Sequence, residues 1–157
     1  MKRAIFPGSF DPFTVGHKAL VLRSLKLFDE ITVAAGFNSE KKYMFDISTR
    51  LKIIETTFKD NPKVRVESYS GLTVDLCRSL DTYFLIRGLR TASDFEFERA
   101  IGQINKQLEQ RIETVFMLIA PEHSAISSSI VRDILLNGGD ASMFLTVNLK
   151  AFDCIRY

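Results

Sequence analysis

Arg3-Ala4-Ile5-Phe6, followed by Pro7-Gly8-Ser9-Phe10-Asp11-Pro12-Phe13-Thr14-Val15-Gly16-His17, reads as a short apolar strand, a loop rich in structure breakers, and a helix beginning at about His17. Glycine allows a backbone to approach a phosphate closely, and the N-terminus of a helix carries partial positive charge. Strand, glycine-bearing loop and helix start together form a phosphate-binding turn. The Walker pattern and the three-glycine dinucleotide fingerprint are both missing from it, so the P-loop kinase and nicotinamide dehydrogenase readings lose their main support.

Outward from this stretch, β-rich runs at residues 3–6, 30–35, 64–68, 83–86 and 114–120 alternate with helical patterns, and four of the five read as buried strands. Val21, Leu25 and Phe28, and later Phe97, Ile101, Ile104 and Leu108, follow the spacing of one buried helical face. Such alternation predicts an α/β fold, a Rossmann-like doubly wound parallel five-stranded sheet with helices on both faces. Loops leaving the carboxyl ends of the strands then form the ligand crevice. With 157 residues, 46% of them apolar, the chain is expected to be a single domain over 1–157.

A formal charge of +2, with no basic stripe, argues against nucleic acid as a partner. Cys77 and Cys154 supply neither a metal quartet nor a disulfide framework, so a reduced, cytoplasmic setting is expected. There is no signal-peptide core and no apolar run near the ~20 residues of a membrane span, so no membrane partner is expected.

Helix starts sharpen the picture, because Asp and Glu normally collect in the first turn. Ser93 with Glu96 reads as a capping box, making Asp94 and Glu96 structural. The starts at Gly16-His17-Lys18-Ala19 and Ser127-Ser128-Ser129-Ile130-Val131-Arg132 contain no acid. Both suit an external anion, and phosphate is the natural candidate.

With these residues the chain resembles the bacterial phosphopantetheine adenylyltransferases of the nucleotidylyltransferase superfamily, whose signature turn is His-x-Gly-His or Thr-x-Gly-His. Thr14-Val15-Gly16-His17 is the second form. Further matches are Gly8-Ser9-Phe10-Asp11-Pro12, Lys41-Lys42, Leu85-Ile86-Arg87-Gly88-Leu89-Arg90, Asp94-Phe95-Glu96-Phe97-Glu98 and Ile126-Ser127-Ser128-Ser129. The resemblance implies transfer of the adenylyl group of ATP to 4'-phosphopantetheine, giving dephospho-coenzyme A and pyrophosphate. In-line attack of one phosphate on another needs positioning and fixed donors, not a covalent nucleophile.

By resemblance, His17 stabilises the transition state at the α-phosphate, with Lys41 and Arg90 also in catalytic positions. Ser9 and Phe10 line the junction of the two substrates. Lys41, Thr73 and Arg87 join Ser9 on the acceptor. Gly88, Leu89, Arg90, Glu98 and the run His123, Ser124, Ala125, Ile126, Ser127, Ser128 and Ser129 match nucleotide-binding positions. Mg2+ is implied with ATP, because the metal offsets triphosphate charge, while no dedicated carboxylate cage is visible in the sequence. A homo-oligomer, a hexamer, is implied as well.

The pattern is not followed everywhere. Val15 stands at a common asparagine, Ser9 at a common threonine and Tyr43 at a common proline, and His123-Ser124-Ala125 lacks the usual aromatics beside the serine. Residues 146–157 match poorly. Two alternatives remain open: a related nucleotidylyltransferase acting on nicotinate mononucleotide, and a non-catalytic nucleotide-sensing protein. The first group usually carries histidine where Thr14 stands.

Overall fold

The computed structural model describes residues 1–152, and Cys154 lies outside them. In chain order its elements are β1 (Arg3–Gly8), α1 (Val15–Ser24), β2 (Glu30–Phe37), α2 (Ile47–Phe58), β3 (Val64–Ser70), α3 (Thr73–Ser79), β4 (Phe84–Leu89), α4 (Ala92–Leu108), β5 (Glu113–Leu118) and α5 (Ser128–Leu136). The strands form one parallel sheet in the order β3-β2-β1-β4-β5. The chain works outward from β1 to one edge, then returns to lay β4 on the other side of β1. That reversal is the topological switch point, where a doubly wound sheet opens its crevice.

Side-chain alternation along the strands builds two cores. Ala4, Phe6, Ile31, Val33 and Ile86 face α1 and α2, where Leu20, Val21, Ile53, Ile54 and Phe58 meet them. Ile5, Ala34 and Leu85 face the opposite way, onto Val74, Leu76 and Cys77 of α3. Successive residues of a strand therefore feed opposite layers, as expected for a sheet covered on both faces. Burial pushes the Cys77 thiol up to about 11, which leaves it an inert core group.

Four expectations need correction. Only β1, β2 and β4 are buried strands, because β3 and β5 are the sheet edges and alternate or expose their side chains. Phe28 is buried beyond the end of α1 and is not part of its helical face. The stripe on α4 is not buried either: Phe97 is 68% exposed and Ile104 54%, and no residue of that helix is buried. The cap of α4 is Thr91, whose Oγ1 accepts from the Asp94 amide at 3.1 Å, so the Ser93 capping box does not form. Glu96 pairs instead with Arg99.

No helix among the described residues is long and apolar enough to cross a membrane.

Candidate active site

The crevice lies over the carboxyl ends of β1 and β4 and consists of two adjoining cavities of about 350 and 300 Å³. Both are lined by Pro7, Gly8, Ser9 and Arg87, which form the seam between them. Lys41, Tyr43, Thr73 and Glu98 line the first. His17, Arg90, His123, Arg132 and the serines 127–129 line the second.

The loop after β1 is held in a specific shape by its own side chains. Phe10 adopts φ 49°, a left-handed backbone that costs energy in a bulky residue, and its ring packs over Gly8. A Cβ on Gly8 would lie 2.7 Å from the Phe10 ring, so any side chain there would have to displace that ring. The buried Asp11 carboxylate accepts from the amides of Met44 and Phe45 at 2.8 and 2.9 Å, tying this loop to the one after β2. Arg50, fully buried in α2, donates to the carbonyls of Ser9, Gly36 and Phe45 and fastens the same two loops from below.

His17 is fixed in one tautomer. At the start of α1, Thr14 Oγ1 accepts from the His17 amide, and His17 Nδ1 accepts from the Thr14 amide at 3.0 Å, a capping box with histidine in the place of the usual acid. A backbone amide can only donate, so Nδ1 carries its lone pair and Nε2 carries the proton. The rings of Phe6, Phe10 and Phe13 crowd the imidazole, with centroids 6.2, 5.1 and 5.2 Å away. Burial, helped by the positive Arg90, lowers its pKa to about 4. At neutral pH, then, His17 is an uncharged Nε2–H donor on the wall of the second cavity.

Unfolded, the ring titrates near 6.5, so between that value and 4 the unfolded chain binds the extra proton. His17 therefore contributes full stability above about pH 6.5 and loses it as pH falls toward 4. A proton NMR titration of the His17 ring is expected to give a midpoint near 4. A midpoint near the unperturbed value would overturn the neutral-donor assignment.

At the other end of the second cavity, Ser127 caps α5 by accepting from the Ile130 amide at 3.2 Å, and the first turn of that helix holds no acid. Ser128 donates to the Pro12 carbonyl and Ser129 accepts from Arg132. Arg132 itself donates to the Asp11 carbonyl at 2.6 Å and lines the cavity, which makes it a cation of the site that sequence reading did not single out. Its signal was present, one turn beyond the serine run. His123 lines the same cavity with a buried Nδ1 that has no partner among the described residues. Ser124 closes a short turn onto the Pro121 carbonyl, and Ser124, Ala125 and the buried Leu89 do not line it.

Arg87 lies on the seam and binds in three directions. Its Nε and Nη2 donate to the two carboxylate oxygens of Glu98 at 2.7 and 2.5 Å, and Nη1 donates to the Pro7 carbonyl at 2.7 Å. Glu98 therefore faces the first cavity, apart from the serine run. Arg90 is held by Asp94 at the mouth of the second. Among the described residues no group of three or more His, Cys, Asp or Glu side chains could hold a metal ion. Both oxygens of Asp11, which lines the second cavity, are already taken by backbone amides.

Residues 5–134 match the cytidylyltransferase-like family model. A phosphopantetheine adenylyltransferase from Flavobacterium psychrophilum is 56% identical over 145 residues, covering 92% of this chain and 95% of that one. One from Bacteroides fragilis is 46% identical over 150 residues, covering 96% and 99%. Among solved structures, a Vibrio parahaemolyticus protein provisionally named as a nicotinate-nucleotide adenylyltransferase superposes with a TM-score of 0.72 at 25% identity, covering 97% of this chain and 98% of that one. With identities of 46–56% over more than nine-tenths of its length, the chain belongs to the phosphopantetheine adenylyltransferase family.

Proposed function

We infer that this chain transfers the adenylyl group of ATP to 4'-phosphopantetheine, forming dephospho-coenzyme A and releasing pyrophosphate. The observation that carries this reading is the seam: two cavities, each lined with cations or phosphate-binding donors, meet at Ser9 and Arg87 beside a neutral histidine donor. Such a site brings two phosphate-bearing molecules end to end. An oxygen of the acceptor phosphate attacks the α-phosphorus of ATP in line, a P–O bond forms, and the bond to pyrophosphate breaks. Lys41 and Arg87 hold the acceptor phosphate, with Thr73 along its arm. Arg90, Arg132 and Ser127 to Ser129 hold the outer phosphates. His17 Nε2–H donates to the α-phosphate oxygen as charge shifts onto it, which is where a fixed donor stabilises a transition state most. The unpartnered Nδ1 of His123 suits a contact to the base.

Mg2+ enters as part of the ATP complex, with the phosphates supplying most of its ligands, since the residues around the cavities form no cage of their own. The chain works as one cytoplasmic domain. It self-associates, as a hexamer by family resemblance, through the apolar ridge of α4, where Phe97, Ile101, Ile104 and Leu108 are all exposed. Sedimentation of the purified protein as a monomer would overturn the assembly.

Pyrophosphate release from ATP and magnesium tests the reaction. 4'-Phosphopantetheine is expected to drive it well above nicotinate mononucleotide. Preference for the nicotinate acceptor would assign the chain to the neighbouring chemistry, and release with neither would support a nucleotide sensor.

A further inference from the structure

Lys41 is exposed on the loop between β2 and α2 and has no acidic partner within salt-bridge distance among the described residues. A lysine on a free loop would sweep a wide volume, because its flexible stem loses much rotamer entropy when the ammonium is fixed. Something must hold the backbone beneath it. Asp11 pins the far end of the loop at Met44 and Phe45, and the near end leaves β2 at Phe37. Between them, the Lys41 amide donates to the Asn38 carbonyl at 3.1 Å and the Glu40 amide to Asn38 Oδ1 at 2.9 Å, closing a turn.

Tyr43 ties that turn down. Its phenol oxygen accepts from the Asn38 amide at 3.2 Å. Its ring stacks on Phe37 at 6.5 Å with an interplanar angle of 25°. The Arg50 guanidinium carbon lies 4.0 Å from the ring centroid. Arg50 is fully buried and bonded to the Ser9 carbonyl, so the tyrosine connects the turn that carries Lys41 to the loop that carries Ser9. A desolvated guanidinium over an aromatic face is a strong form of the cation–π contact. The same ring forms part of the wall of the first cavity.

We propose that Tyr43 is a positioning residue for the acceptor: clamped between Phe37 and Arg50, it fixes the turn from which Lys41 reaches the acceptor phosphate. The proposal rests on the adenylyl-transfer reading above. Because Tyr43 acts on one substrate only, it controls the acceptor constant and leaves the nucleotide side alone.

Steady-state kinetics on the full chain test it, with ATP and 4'-phosphopantetheine varied in turn. Tyr43→Ala is expected to raise the acceptor KM about thirtyfold, the factor that corresponds to loss of one desolvated aromatic contact, with kcat and the ATP KM little changed. Tyr43→Phe keeps the stack and loses only the Asn38 bond, so it should lie between wild type and alanine, and it serves if the alanine variant folds poorly. In a Lys41→Ala background, Tyr43→Ala should add nothing, because the residue it positions is gone. An unchanged acceptor KM in both Tyr43 variants, an equal rise in the ATP KM, or full additivity with Lys41→Ala overturns the proposal. If the wild-type chain releases no pyrophosphate with this acceptor, the reaction itself is rejected and the proposal with it. A working wild type with indifferent Tyr43 variants rejects the proposal alone.

Discussion

Replacing His17 with alanine is expected to lower kcat for pyrophosphate release by about 10²–10³-fold while the ATP KM changes little, the usual result of removing one preorganised donor to a developing negative charge. The reason is in the capping box. Nδ1 is occupied by the Thr14 amide, so the one proton of the neutral ring must sit on Nε2, and the ring cannot turn over without losing that bond. Phe6, Phe10 and Phe13 restrict the ring further and keep it uncharged. A donor fixed in this way costs no reorganisation during the reaction, and alanine removes it completely. Alanine also strips the Thr14 amide of its partner, a loss of roughly 1 kcal/mol of folding stability. His17→Gln separates the two effects, since glutamine at that position of a helix can reach back to the same amide. It should restore the melting temperature and recover only part of kcat. Turnover of the alanine variant within tenfold of wild type would remove His17 from the chemistry.

What the sequence disclosed follows from how local each signal is. The turn from Gly8 to His17 was legible because its glycines, cap and histidine lie within ten consecutive positions and each bears on the same backbone. The acid-free start at Ser127 was legible for the same reason, and its cap forms as the hydroxyl run suggests. Burial was harder to read. An apolar stripe on a helix reports that the face avoids water, and on α4 the sheet does not cover it, so periodicity alone assigned Phe97 and Ile104 to a core they do not join. The edge position of β3 and β5 depends on strand order, which no single strand encodes. Arg50 was hidden more deeply. An arginine in an amphipathic helix normally reads as a solvated cation, and what singles out Arg50 is three backbone carbonyls from segments up to 41 residues away. The Arg87–Glu98 pair lies between these cases: both residues stood out in the sequence, but their bond to each other did not.

That pair sets the second large effect. Arg87→Ala is expected to raise the acceptor KM by about 10²-fold, at the upper end of the roughly 1.5–3 kcal/mol carried by a single charge-assisted hydrogen bond. Glu98 is what puts it there. Its side chain is only 14% exposed and is neutralised by both Nε and Nη2 of Arg87. Removing the arginine leaves a carboxylate without its counter-charge in the cavity that must receive a phosphate, so the acceptor loses an attraction and meets a repulsion. The double variant Arg87→Ala with Glu98→Ala removes both charges. It should bind the acceptor better than Arg87→Ala alone and less well than wild type, a sign of coupling that additive losses cannot produce. Glu98→Ala alone leaves Arg87 tethered only at the Pro7 carbonyl, with its full charge free for the phosphate, so its acceptor KM should change least of the three while kcat falls as the guanidinium loses its fixed plane. An acceptor KM in Arg87→Ala equal to that of wild type would remove the arginine from acceptor binding. A double variant weaker than Arg87→Ala would mean that Glu98 binds the substrates directly, beyond restraining Arg87.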